Sequence, residues 1–173
     1  MWGNWKMKLL GLGLLVLCST LTGMSMASNL SRRVRRIENS ISLLGMLYDR
    51  LRYLQPPMLG LIAALAGLEQ FAGTVYLQRC RGAMSEGQPF PAAWRQGVEA
   101  DRDAVGAGHA QVLLPLGEVL GSVDLESQLT ALRHAVSMLE SELEQAREHR
   151  EKYGRLYRSM GVLCGLAVAI VFI

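Results

Sequence analysis

Apolar residues recur at helical spacing through most of the chain. From Val34 they fall at Val34, Ile37, Ile41, Leu44, Leu47, Leu51 and Leu54, and steps of three and four place them on one stripe of a helix. Pro56-Pro57 ends that helix, because proline lacks an amide hydrogen and disfavours helix in the residue before it. Pro57 is suited to the first turn of a second helix, running through MLGLIAALAGLEQF. A third is expected over FAGTVYLQRCRGAM, followed by the polar turn SEGQPFP and a short helix, PAAWRQGVE, that carries Trp94. The stretch ADRDAVGAGHAQ, with Gly106 and Gly108, reads as a loop or a helix start.

The clearest helix begins near Asp124, an N-cap residue that accepts amide hydrogen bonds, with Glu126 in its first turn. Its stripe is Leu125, Leu129, Leu132, Val136, Leu139, Leu143 and Ala146. Through Tyr153 and Leu156 the pattern leads into the apolar tail, giving a helix of more than 40 residues without a proline. Its other face, with Glu140, Glu144, Arg147, Glu148, Glu151 and Lys152, is a solvated outer face with oppositely charged residues four apart. No region alternates apolar and polar residues over the length of a strand. The expected fold is all-α, a cytoplasmic bundle of about six helices between an N-terminal and a C-terminal transmembrane helix.

Both ends of the chain are apolar. Leu9 to Ser31 contains 23 residues without a charge, and about 20 suffice to cross the hydrocarbon core as a helix. The second run, from Ser159 to Ile173, has 15 uncharged residues and reaches about 22 Å at 1.5 Å per residue; beginning it near Leu156 lengthens it. Arg32, Arg33, Arg35 and Arg36 follow the first run, whereas only Lys6 and Lys8 precede it. Arg150, Lys152, Arg155 and Arg158 precede the second, and nothing basic follows it. Basic flanks stay on the cytoplasmic side, so both runs place the middle of the chain in the cytoplasm. The expected organisation is a short extracytoplasmic N-terminus over 1–8, a span over 9–31, a cytoplasmic helical domain over 32–158 and a span over 159–173.

An alternative makes the first run a cleaved leader, with Ser25-Met26-Ala27 as the cleavage site. The arginine block beyond it argues against translocation. Small residues occupy every fourth position in both runs, Ser19, Gly23 and Ala27 in one and Gly161, Gly165 and Ala169 in the other. That spacing lets helix backbones approach closely in lipid, within one chain or between copies.

Composition agrees with a membrane-attached helical domain. Half of the 173 residues are apolar and only 6% are aromatic, which leaves few strand formers. Eighteen basic residues against fifteen acidic ones give a net charge of +3, too little for a nucleic-acid-binding surface. Cys18, Cys80 and Cys164 are far apart and odd in number, so no disulfide framework or CxxC metal site is available.

Reactive groups are likewise dispersed. His109, His134 and His149 lack metal-type spacing and read as surface or satisfied histidines, and no glycine-rich run is followed by the lysine of a phosphate loop. Cys80, between Arg79 and Arg81, could have a lowered thiol pKa, but an ordinary helix cysteine is the simpler reading. Asp101 and Asp103 fit a loop better than a catalytic pair. Neither an enzyme nor a cofactor is expected.

More specific is the tract LGEVLGSVDLESQ, from Leu116 to Gln128. Gly121 can take the left-handed conformation that ends a helix, Asp124 can cap the next one, and Gly117 permits close packing. The bland reading is a sharp helix-to-helix turn with no binding role.

This order of features resembles the stage III sporulation protein AB family of endospore-forming bacteria. Leu116-Gly117, Leu120-Gly121, Asp124 and Gln128 are the most specific part. They are joined by the Arg-rich first helix, the Pro57-Met58-Leu59 segment with Ala63 and Leu65, Ala93-Trp94, Lys152-Tyr153, and Leu163-Cys164-Gly165-Leu166. Gly106-Ala107-Gly108-His109 departs from a family pattern that is more regularly charged and helical. The resemblance implies a multi-pass protein of the mother-cell membrane around the forespore. It implies a non-enzymatic platform subunit of the secretion-like channel complex needed for endospore formation. Its bundle would be similar to the cytoplasmic domain of type II secretion and type IV pilus platform proteins. The implied partners are the sporulation ATPase, stage III sporulation protein AA, and other membrane subunits of the complex.

Two other readings compete: a membrane-anchored coiled-coil adaptor that pairs through the Leu125 to Leu143 stripe, and an exported tail-anchored domain left after leader cleavage.

Overall fold

The computed structural model describes the backbone of residues 3–54, 56–121 and 124–172, and side chains at 28, 30–54, 56–121, 124–153 and 159. The expected spans, 9–31 and 159–173, therefore lie almost wholly outside the described side chains. So do Ser19, Gly23, Ala27, Arg155, Arg158, Gly161, Gly165 and Ala169. Among the described residues no helix is long and apolar enough to cross a membrane, and there is no strand.

Eight α-helices follow in order among these residues: α1 Gly3–Leu54, α2 Met58–Ala66, α3 Val75–Ser85, α4 Phe90–Ala100, α5 Arg102–Val105, α6 Ala107–Leu113, α7 Leu116–Val119 and α8 Leu125–Phe172. A 3₁₀ turn over Glu69–Phe71 joins α2 to α3. The chain divides into two compact units, Arg33–Glu144 and Met1–Arg32 with Gln145–Ile173.

In the first unit, the proline break falls where the residues require it. Pro57 is extended, with φ −54° and ψ 138°, and its carbonyl accepts the Leu61 amide at 3.0 Å. The Gln78 amide nitrogen donates to the carbonyls of Ala66 at 2.8 Å and Phe71 at 3.3 Å, tying the α2–α3 connection to α3. Close approach of α3 and α4 depends on Gly97, where a Cβ would lie 2.5 Å from the Tyr76 carbonyl oxygen.

Trp94, Phe71, Ile37, Leu44, Leu47, Ile62, Leu65 and Leu77 are among the fully buried side chains of the core. Each large aliphatic chain removed from water contributes about 1.5–3 kcal/mol. The buried face of α1 departs slightly from the expected stripe: Ser40 and Leu43 are buried, Ile41 is half-buried, and Leu54 is 69% exposed. Leu54 is the last residue of α1.

α8 is unbroken over 48 residues, as its proline-free stripe predicts. Gln128, Leu132, Ala135, Leu139 and Leu143 form its buried face within the first unit, while Leu125, Leu129 and Val136 are not fully buried. In the second unit, the His149 and Tyr153 rings lie 4.3 Å apart, with the Lys152 ammonium 6.0 Å from the Tyr153 ring centre.

The stretch 100–111, read as a loop or helix start, instead contains α5 and most of α6. Gly106 separates them at φ 96°, a left-handed conformation open mainly to glycine. The reversal lets α6 bury His109, Ala110 and Leu113.

Candidate functional site

Trp94 is the anchor of the α4–α7 region. It is fully buried, and its indole N–H donates to the Leu113 carbonyl at the end of α6 over 2.8 Å. Tyr76 meets it edge-on at 5.7 Å and Phe90 lies tilted at 5.6 Å. Gly117 supplies the remaining space, since a Cβ there would sit 2.8 Å from Trp94 Cδ1. Leu116 and Leu120 are buried on either side. Arg95 and Glu118 form an exposed ion pair between α4 and α7.

The turn into α8 follows directly. Gly121 has φ 86°, and the Asp124 carboxylate accepts the Ser127 amide and the Ser127 hydroxyl, both at 3.0 Å. These bonds satisfy an otherwise unpaired amide of the first turn and hold the Asp124 carboxyl below its ordinary pKa. A Cβ at Gly121 would lie 3.6 Å from Met58 Cε, so the start of α2 sits beside this turn. Gln128 is buried one turn into α8. Leu116, Gly117, Leu120, Gly121, Asp124 and Gln128 are thus placed along the passage from α7 into α8.

Of the six arginines expected to set topology, Arg32, Arg33, Arg35, Arg36, Arg155 and Arg158, two make contacts in the bundle among the described residues. Arg33 donates to Glu142 of α8 at 3.0 Å, and Arg36 donates to the Ala104 carbonyl. Arg32 and Arg35 are exposed.

Buried polar chemistry is sparse. His109, expected at the surface or with its hydrogen bonds satisfied, is fully buried with no hydrogen-bond partner at either ring nitrogen. Burial, reinforced by the charge of Arg33, pushes its pKa down to about 4, so the ring is neutral. Sequence spacing offered no signal for this, because the burial of α6 follows from the reversal at Gly106. His134 and His149 are exposed.

Ser40 and Tyr76 share a buried hydrogen bond of 2.8 Å, and burial raises the Tyr76 pKa. Cys80 is buried and its thiol is pushed up to about 12 by desolvation, opposite to the activation that its arginine neighbours suggested. Asp101 is half-buried, and desolvation raises its carboxyl against the pull of Arg36; Asp103 is exposed. Among the described residues no three His, Cys, Asp or Glu side chains could hold a metal ion.

Among known proteins, the model of the family Stage III sporulation protein AB matches residues 8–173. The chain belongs to the stage III sporulation protein AB family. Stage III sporulation protein AB of Bacillus subtilis (strain 168) is 26% identical over 168 residues, covering 95% of this chain and 98% of the relative. A solved structure of Stage III sporulation protein AB shares the fold with a TM-score of 0.61 at 22% identity, covering 70% of this chain and 98% of that one. The family places the chain in sporulation. Of the α8 stripe that an adaptor would offer to a second copy, Leu132, Leu139 and Leu143 are buried, and Leu125, Leu129 and Val136 are half-buried.

Proposed function

We propose that this stage III sporulation protein AB family member is a non-enzymatic platform subunit of the secretion-like channel complex between mother cell and forespore. Two transmembrane helices, over 9–31 and 159–173, anchor it in the mother-cell membrane around the forespore and hold the central domain in the cytoplasm. There it couples to the stage III sporulation ATPase and to other membrane subunits.

The observation that carries this reading is the continuity of α8, which runs from the Asp124 cap through the buried positions Leu132, Leu139 and Leu143 to Phe172. Where α8 is packed within the first unit, the close-packed interior transmits displacement instead of absorbing it, so this stretch can take up motion from a soluble motor. The arginine flanks favour the cytoplasmic side for the bundle.

Affinity-tagged full chain, purified from sporulating cells in mild detergent, is expected to bring down the ATPase. Removing residues 33–144 is expected to abolish that association and channel assembly. If the full chain brings down no ATPase and the complex assembles without those residues, the reading fails.

A further inference from the structure

A groove of about 960 Å³ lies along the side of α8, open to solvent and walled by α6 and α7. Val112, Pro115 and Val119 line one wall, and Ala131, Ala135 and Met138 line the other. Met138 is 46% exposed, a large apolar side chain left in water beside an apolar cleft. One end is acidic, with Asp124 and Glu126, and no lysine or arginine lies along the lining. From Asp124 to Met138 the groove follows α8 for about 21 Å at 1.5 Å per residue.

These dimensions and charges select an occupant. A cleft between helices that is mostly apolar, with Gln111, Ser127, Thr130 and His134 as its uncharged polar lining, accepts the apolar face of another helix, and an acidic end asks for a basic one. We propose that this groove is the docking site for a helix of a partner protein, about 14 residues long, apolar on one face and carrying Lys or Arg where it meets Asp124 and Glu126.

A second copy fits poorly. The apolar faces of α2, α3 and α4 are already buried in the chain's own core at Leu61, Leu65, Leu77, Cys80, Trp94 and Val98. α2 still exposes Leu59, Ala63 and Ala64, but it carries no Lys or Arg to meet Asp124 and Glu126, and α3 exposes a single large apolar side chain, Val75. An anionic lipid surface is repelled by Asp124 and Glu126 and cannot enter a concave cleft. The inference goes beyond the platform reading and holds whichever subunit supplies the helix.

The test places a photo-crosslinking amino acid in the full chain, expressed in sporulating cells, at Thr130 in the groove or at Glu140 on the solvated face. Thr130 is expected to capture a partner and Glu140 to give none. Mass spectrometry of the crosslinked peptide should read a helix-forming segment with apolar residues at i, i+4 and i+7 and a Lys or Arg at one end. Glu126→Lys should cut the yield by about fivefold or more, the upper end of what an exposed ion pair contributes, and Glu126→Gln by less. Met138→Lys, at an exposed position, provides a second variant that lowers yield through the apolar contact. Capture of a second copy of this chain overturns the proposal, as does capture of an acidic or non-helical segment. Equal yields from Thr130 and Glu140, or yields indifferent to both Glu126→Lys and Met138→Lys, overturn it as well.

Discussion

Replacing Gly97 by alanine tests how closely α3 and α4 are packed. The added methyl would lie 2.5 Å from the Tyr76 carbonyl oxygen, where real Cβ contacts essentially never fall below 3.0 Å. The obstacle is backbone, so no side-chain rotation relieves it and the helices must separate by about 0.5 Å or more. Overpacking of a close-packed interior costs roughly 1–3 kcal/mol, and a clash with backbone belongs near the top of that range. Alanine also favours helix over glycine by about 1 kcal/mol, so the net loss is about 2 kcal/mol. For a domain of this size that lowers the midpoint of thermal unfolding by about 8 °C. Gly82, inside α3 with nothing within 4 Å of where its Cβ would lie, is the control; Gly82→Ala retains only the helix gain and should raise the midpoint by about 2–4 °C. Circular dichroism of the full chain in detergent reads both variants. Gly97→Ala melting at or above the Gly82→Ala midpoint would refute the close α3–α4 contact.

Trp94→Phe keeps most of the ring but leaves the Leu113 carbonyl without its indole donor, and should cost about 1–3 kcal/mol in chemical unfolding. His109 is neutral in the folded chain because its pKa falls from the ordinary 6.5 to about 4. Stability is therefore complete above the unfolded pKa and declines as pH falls from 6.5 towards 4, by roughly 3 kcal/mol in all. His109→Leu should flatten that decline in pH-dependent unfolding curves, and an unchanged slope would exclude His109 as its source. Asp124→Ala removes the acceptor of the two Ser127 bonds and should lower the thermal midpoint, with Asp124→Asn falling less. Cys80, buried with its thiol raised to about 12, should resist maleimide in the folded chain and react once denaturant is added.

Local chemistry made much of this architecture legible before the fold was known. The α8 stripe, the proline break after Leu54, the Asp124 cap and the left-handed Gly121 each follow from residues within a few positions of one another. The sporulation family was legible from the tract between Leu116 and Gln128. What sequence spacing missed is non-local. Gly97 matters because Tyr76 lies across from it, and Gly117 acquires a defined role only when Trp94 is seen against it. The stretch around Gly106 reads as a loop or a helix start, and short helices lie on both sides of this positive-φ glycine; that His109 of the second is buried is not visible in its spacing. Cys80 is the ordinary helix cysteine that the sequence favoured: it faces the core, and burial outweighs its basic neighbours. The groove along α8 could not be read from periodicity, because its walls come from three helices and its exposed residues resemble any solvated face.

A platform subunit that couples to a soluble ATPase must hold its bundle in the cytoplasm. A full chain carrying Ser141→Cys as its only cysteine, expressed in vegetative cells so that it inserts in the plasma membrane, can be treated in intact protoplasts with a membrane-impermeant maleimide. Ser141 is exposed on α8, so folding does not shield it. Protection until the membrane is permeabilised, followed by rapid labelling, is the predicted result; labelling of intact protoplasts would contradict the account.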